Sequence, residues 1–286
     1  MKVSIITPIY YGNRYLNSLL NNINEACSGM NHKVELILVN DSPDAPLSYD
    51  NSLAQNFSII EIENNYNSGI HQSRVNGLKI ANGDYIVFLD QDDKISKNYI
   101  HTQLQVANTT HCDIVLSNGY NENNKRLKQP IYKNTFSLLF ATKERPYILA
   151  RDFITSPGQC LIKKKAIPVE WTTHIMEAHG ADDYFLWLLC FNAKCKIAPN
   201  YELIYTHKNT GRNYSANKSA MRRSLENMLH ILEQTQYPKT KLYRLRKSIN
   251  FKANYKQQPL KYIIQNPIIF LYNIYYRIVW RGFLEK

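Results

Sequence analysis

The sequence predicts an α/β protein: a mostly parallel sheet flanked by helices, followed by a helical, basic and aromatic C-terminal extension. Three observations carry this. The first 118 residues alternate apolar strand-like runs with amphipathic helical stretches. The strand runs are continuously apolar rather than alternating, as in strands covered on both faces. Beyond Asn209 the pattern turns helical throughout. With 286 residues the chain is long enough for a large core.

The elements follow in order. Lys2–Tyr10 (KVSIITPIY) reads as a buried strand ending in a proline-bearing turn. Asn13 is placed to cap a helix over 14–27, with Tyr15, Leu16, Leu19, Leu20 and Ile23 on one face. Val34–Asp41 and Phe57–Glu63 are the next strands, the former ending on a carboxylate. Ser68 is placed to cap a helix that stops near Asn82-Gly83. Asp84–Asp90 is a fourth strand, 96–108 a helix and Cys112–Asn118 a fifth strand. Residues 120–155 read as irregular, with a short helix near 135–142. Gln159–Lys163 suits a strand, 181–193 a helix, and 195–207 one or two strands. Helices are expected over 216–235, 239–256 and 260–281, with a domain boundary near 210: a catalytic unit 1–210 and an extension 211–286.

Composition excludes several classes. Five scattered cysteines, with no CxxC pair, exclude a disulfide-stapled scaffold and a zinc ribbon. Neither GxGxxG nor GxxxxGK[ST] occurs, which argues against a dinucleotide-binding dehydrogenase or a P-loop NTPase. The chain opens directly on a strand without a signal-peptide pattern, so a reducing intracellular setting is expected. The net charge of +12 is uneven: residues 208–286 hold 16 Lys+Arg against three Glu. Such a split suggests a balanced body and a tail that meets an anionic surface.

Four groups of residues can carry chemistry. Asp90, Asp92 and Asp93 follow a buried strand, where open parallel sheets bind ligands. Three acids so close repel unless offset, and a hard divalent cation shared with a phosphate would offset them; a helix-start cluster is the plainer reading. Asp41 can accept hydrogen bonds from a ligand's N–H groups or make an Asx-turn. Asp182 and Asp183 open a helix in GADDYFLWL, as first-turn acids or as a general base. His207, Arg212 and Ser215 follow a strand-like segment, and arginine's planar fork suits a phosphate.

Taken together these stretches resemble a family 2 glycosyltransferase of the GT-A fold over roughly residues 1–215. SIITPIY resembles that family's opening, with Tyr11 where asparagine is common. VNDSPDA resembles its V-[DN]-D-[GS]-S-x-D segment. The run from Asn65 to Asp93, NYNSGIHQSRVNGLKIANGDYIVFLDQDD, resembles the longest of its motifs, with Val75 in place of the usual asparagine. GADDYFLWL resembles its G-x-E-D-x-x-L-W-L segment with Asp182 for glutamate, and YTHKNTGRNYS its histidine-containing segment.

The resemblance implies roles. Pro8, Tyr10 and Asp41 would hold the base of a nucleotide-sugar, probed at its ring N–H by Asp41. Asn67, Gly69 and Arg74 would line the nucleotide and diphosphate pocket, and Asp90 would bind the ribose or sugar. Asp92 and His207 would ligate Mn²⁺ or Mg²⁺, while Arg212 and Ser215 would close over the diphosphate. Asp183, or its neighbour Asp182, would deprotonate the acceptor hydroxyl; alignment with the E-D pair favours Asp183. The implied activity is metal-dependent, inverting transfer of a hexosyl or N-acetylhexosaminyl group, with UDP the expected nucleotide, to a saccharide acceptor in cell-surface polysaccharide synthesis.

Residues 259–283 are apolar and aromatic but too short and polar to span a bilayer easily. They suit an interfacial helix on an anionic membrane, with the basic run upstream adding attraction; helices packed back on the body are the plainer reading. A peripheral enzyme at the inner face of the cell membrane would suit a lipid-linked acceptor. No nucleic-acid-binding motif accompanies the charge. Two other classes compete: a sugar-phosphate nucleotidyltransferase, against which the absence of a Gly-rich basic loop after the first strand argues, and a catalytically silent lipid-binding scaffold, against which the intact Asp90, Asp92, Asp183 and His207 argue.

Overall fold

The computed structural model describes residues 1–29, 31–209 and 217–281. One sheet organises them, formed by β1 (Lys2–Ile9), β2 (Lys33–Asn40), β3 (Ser58–Glu63), β4 (Tyr85–Phe88), β5 (Lys94–Ile95), β6 (Ile114–Glu122), β7 (Lys128–Pro130), β8 (Cys160–Lys163) and β9 (Ile197–Lys208). Its order is β3-β2-β1-β4-β8-β6-β9-β5, with β7 on the outer part of β6. The first four strands are parallel, with β1 between β2 and β4. Beyond β4 the sheet is mixed: β8 runs antiparallel to β4 and β6, β9 parallel to β6, and β5 antiparallel to β9. β1, β2 and β4 are buried almost throughout, because their unbroken apolar runs meet helices on both faces.

The early helices are α1 (Asn13–Cys27), α2 (Gly69–Ile80) and α3 (Tyr99–Thr110). Leu16, Leu19, Leu20 and Ile23 form the buried stripe of α1. Asn13 does not cap this helix, since Gly12 holds the cap position. The Asn13 amide instead bridges to the loop after β2, donating to Pro46 O (3.0 Å) and accepting from Ser48 N (3.2 Å). Ser68 does occupy the cap position of α2, but its hydroxyl turns back to Tyr66 O and makes no cap bond.

In the stretch 120–155 the short helix expected near 135–142 forms as α4 (Thr135–Ala141), and the part read as irregular also carries β7 and a second short helix, α5 (Glu144–Leu149). Next come α6 (Val169–Thr173) and α7 (Asp182–Asn192), and the 195–207 region forms one strand, β9. The C-terminal helices are α8 (Lys218–Gln234), α9 (Lys239–Asn254), α10 (Pro259–Gln265) and α11 (Pro267–Arg281). The single helix expected over 260–281 is thus two. Proline disfavours helical geometry in the residue before it, and Asn266 breaks the run at φ −140°. The expected boundary near 210 falls in the undescribed stretch 210–216.

The C-terminal helices pack back onto the body. α9 lies on α5, and α11 on α4 and α5. Phe140 and Phe153 receive the rings of Tyr272, Tyr276 and Trp280. Asn273 is buried there and donates to Leu149 O (3.3 Å). Upstream, Asn227 of α8 accepts from Ala178 N (3.2 Å) and Ser224 donates to Ala178 O (2.9 Å), so α8 holds the loop before α7.

Candidate functional site

The strand order reverses at β1: β2 and β3 lie to one side, β4 to the other. A crevice opens at such a point beyond the carboxyl ends of the strands. Here a cavity of about 610 Å³ is lined by Pro8, Tyr10, Asp41, Asn67, Gly69, Arg74, Asp90, Asp92, Asp182, Asp183 and His207. The structure therefore brings together, from stretches far apart in sequence, every expected site residue among those described. Arg212 and Ser215 lie outside the described residues.

Asp41 follows β2 and is buried, and it does not make an Asx-turn. Its Oδ1 accepts from Ser68 N (2.7 Å) and Asn64 Nδ2 (2.8 Å), and its Oδ2 from Gly69 N (2.9 Å). A carboxylate from another strand thus caps α2, satisfying backbone donors that a helix leaves unpaired and matching the positive end of its dipole. Gly69 sits at φ +82°, and a Cβ there would lie 2.1 Å from the His179 ring. Tyr11, also left-handed at φ 43°, closes the turn after β1 by donating from its N–H to Ser42 Oγ (2.9 Å).

Arg74, on α2 and buried, ties the acids together. Its Nη1 donates to Asp182 Oδ2 (2.5 Å) and its Nη2 to Asp90 Oδ1 (2.7 Å). Burial opposes its charge, but Asp182 and Asp90 hold the guanidinium firmly protonated. Ser156 donates to the other oxygen of Asp90 (3.0 Å). Asp182 and Asp183 differ sharply although adjacent. Burial opposes the charge of Asp182, yet Arg74 outweighs it and holds the carboxyl below its ordinary value. Asp183 is pushed well above the ordinary value by burial and by the charges of Asp152 and Asp182. Asp152 is itself pushed up to about 7, chiefly by burial.

The acids after β4 also divide. Asp93 is buried and accepts from Tyr205 OH and from Lys208 N (2.9 Å), with His207 Nδ1 3.2 Å from its Oδ1. Asp92 faces the cavity, pushed up to about 6 by burial and by the charges of Asp93 and Asp90. Burial works against protonation of His207, but the Asp93 hydrogen bond and the neighbouring carboxylates raise its pKa overall.

Among the described residues no cluster of three or more His, Cys, Asp or Glu is arranged to hold a metal ion. The donor set still fits a divalent cation that takes part of its shell from a substrate. Asp92 supplies a carboxylate crowded by like charges, and Asp93 orients the His207 ring through Nδ1, as carboxylates orient metal-binding histidines.

Several contributors carry no signal in the sequence alone. Gln91 accepts from Tyr10 N (3.1 Å), fixing the β1 turn against the turn after β4. His71 accepts from Met176 N (3.0 Å) and pairs its Nε2 with Trp171 O (3.0 Å), anchoring the segment before α7. Asp152 acts on Asp183 from the stretch 120–155, read as irregular apart from one short helix.

Residues 4–169 match the profile of glycosyl transferase family 2, and the chain belongs to that family. It is 29% identical over 126 residues to glycosyltransferase GlyG of Streptococcus pneumoniae, covering 42% of this chain and 39% of GlyG. It is 29% identical over 140 residues to poly(ribitol-phosphate) beta-N-acetylglucosaminyltransferase TarS of Staphylococcus aureus, covering 47% of this chain and 24% of TarS. The chain thus spans well under half the length of these curated relatives. The S. aureus TarS 1–349 structure in complex with UDP-GlcNAc superposes with a TM-score of 0.64 at 17% identity, over 90% of this chain and 76% of that one. Mannosyltransferase PcManGT from Pyrobaculum calidifontis, solved with GDP-Man and Mn²⁺, superposes with a TM-score of 0.57 at 13% identity, over 93% and 73%. The fold is accordingly GT-A-like.

Proposed function

We propose that this chain transfers a hexosyl or N-acetylhexosaminyl group from a UDP-sugar to a hydroxyl of a saccharide acceptor, with inversion at the anomeric carbon. The carrying observation is the contrast between two adjacent carboxyls on one cavity: Asp182 held ionised by Arg74, Asp183 pushed up. Environments that drive two acids apart assign them different tasks. Asp183 is the general base; Asp182 positions Arg74. One base on the acceptor hydroxyl gives a single displacement and hence inversion.

Pro8, Tyr10 and Asp41 hold the uracil, Asn67, Gly69 and Arg74 the diphosphate side, and Asp90 the ribose or sugar; Arg212 and Ser215 close over the diphosphate. Asp92 and His207 hold Mn²⁺ or Mg²⁺. When bound, the cation neutralises charge developing on the departing diphosphate. The TarS complex with UDP-GlcNAc and the PcManGT complex with GDP-Man and Mn²⁺ support this reading of donor and metal.

The acceptor is a lipid-linked saccharide of cell-surface polysaccharide synthesis. The protein works at the inner face of the membrane, where its basic extension (residues 211–286) meets anionic lipid. Among the described residues no helix is long and apolar enough to cross a membrane. Calorimetric titration of UDP, GDP, dTDP and CMP with and without Mn²⁺ tests the donor site. UDP is expected to bind in a Mn²⁺-dependent manner, and Asp92→Ala to abolish that dependence. A product that keeps the donor's anomeric configuration sinks the mechanism.

A further inference from the structure

We infer that the junction of α5, α9 and the α10–α11 break is a binding site for a phospholipid headgroup. The inference rests on the membrane reading above and gives it a location. A cavity of about 510 Å³ opens there, away from the crevice at β1 and β4. Its walls carry Arg145, Lys241, Arg244 and Lys247 against the single acid Glu144. Lys241 is paired with Glu144 at 2.6 Å, the Arg145 guanidinium lies 5.4 Å from the Tyr272 ring, and Lys247 Nζ lies 4.7 Å from the Tyr243 ring. Cations held on rings and a floor of Ile148 and Leu149 make a place for a phosphate attached to something apolar.

The second observation is the surface beside it. Leu260 and Ile264 on α10 and Ile268 and Leu271 on α11 are 76, 78, 65 and 63% exposed, a pair of large aliphatic side chains on each side of the break. Ile268 belongs to both features, lining the cavity and standing on the ridge. A ridge of large aliphatic side chains beside a basic cavity matches an acyl layer beside its phosphates. The occupant is therefore an anionic phospholipid in a bilayer, its phosphate in the cavity and the ridge in the acyl boundary. On its other side α5 packs against α7, which carries Asp183, with the Tyr147 and Tyr184 rings 6.3 Å apart. The lipid-facing cavity and the catalytic helix thus share one short helix as a common wall.

Because α9 and α11 cover the body, truncation would confound folding with binding, and substitutions at exposed positions are the sounder test. Binding to phosphatidylcholine vesicles containing phosphatidylglycerol is measured for the full chain and for two doubles. Arg244→Ala/Lys247→Ala removes two cations from the cavity; Lys239→Ala/Arg246→Ala removes the same charge from the same helix outside it. The first is expected to weaken binding about thirtyfold and the second by less than about threefold, with thermal melting unchanged in both. Soluble dihexanoyl-phosphatidylglycerol is expected to bind the intact chain and not the first double, and inorganic phosphate alone to bind far more weakly. Equal losses in the two doubles would mean diffuse attraction, overturning the cavity while leaving the membrane reading standing. Phosphate binding as tight as the short-chain lipid would overturn a lipid occupant, and a dimer that buries the ridge in sedimentation would assign the surface to a second copy. Vesicle binding absent altogether would remove both readings, and the nucleotide titration would stand apart from that result.

Discussion

On the proposed mechanism the chemistry turns on Asp183, which would serve as the base. Asp183→Asn removes the base and keeps the shape, so transfer is expected to fall by about a thousandfold while UDP affinity, read by calorimetry, holds. Asp183 must be ionised to act, and its raised pKa moves the acid limb of the rate profile above the ordinary carboxylate range. Asp152 is one cause of that rise. Asp152→Asn takes away a negative neighbour, favours ionised Asp183, and is expected to shift the acid limb of kcat/KM to lower pH. A limb that stays put would separate the two carboxyls. None of this pairing could be read along the chain. The sequence marks Asp182 and Asp183 as helix-opening acids, but which one is engaged depends on Arg74, 108 positions away. In the same way Asp41 reads as a strand-end acid, and only the fold reveals that it caps α2.

At the scale of elements, α2 is the sharpest case. Its first residue needs both a left-handed backbone and room for the His179 ring. Gly69→Ala is expected to cost about 1–3 kcal/mol, lower Tm, and loosen the cavity enough to raise KM. Calorimetric melting and steady-state kinetics read the two effects. The strands that frame the crevice were legible because each is a long apolar run with turn residues after it. β5 and β7 have two and three residues, too few to display any period. α5 hid behind Pro146, which ordinarily breaks a helix but is tolerated within the first turn, where no intrahelical N–H bond is lost. The α10–α11 break was written in the sequence as Asn266-Pro267, yet the apolar pattern runs straight across it.

At the scale of the whole molecule, the body and its basic extension share a core. Leu242, Leu245, Phe251 and Ile269 are buried against residues of the body and the neighbouring helices. Removing the chain beyond residue 238 is therefore expected to give a protein that melts at lower temperature and self-associates, as size-exclusion chromatography would reveal. The asymmetry of charge suggested that this end would meet an anionic partner; it gave no sign that one face of it packs on the body. Periodicity reports that a helix has an apolar side without saying what covers it. The placement of β9 has a consequence in time. This strand, which carries His207, is threaded between β6 and β5, the latter made about a hundred residues earlier. On the ribosome, β5 waits without a partner strand until residue 205 has emerged, and the loop before α7 waits for α8. Although β1, β2 and β4 are made early, the walls of the crevice are thus completed only once β9 and α8 have emerged.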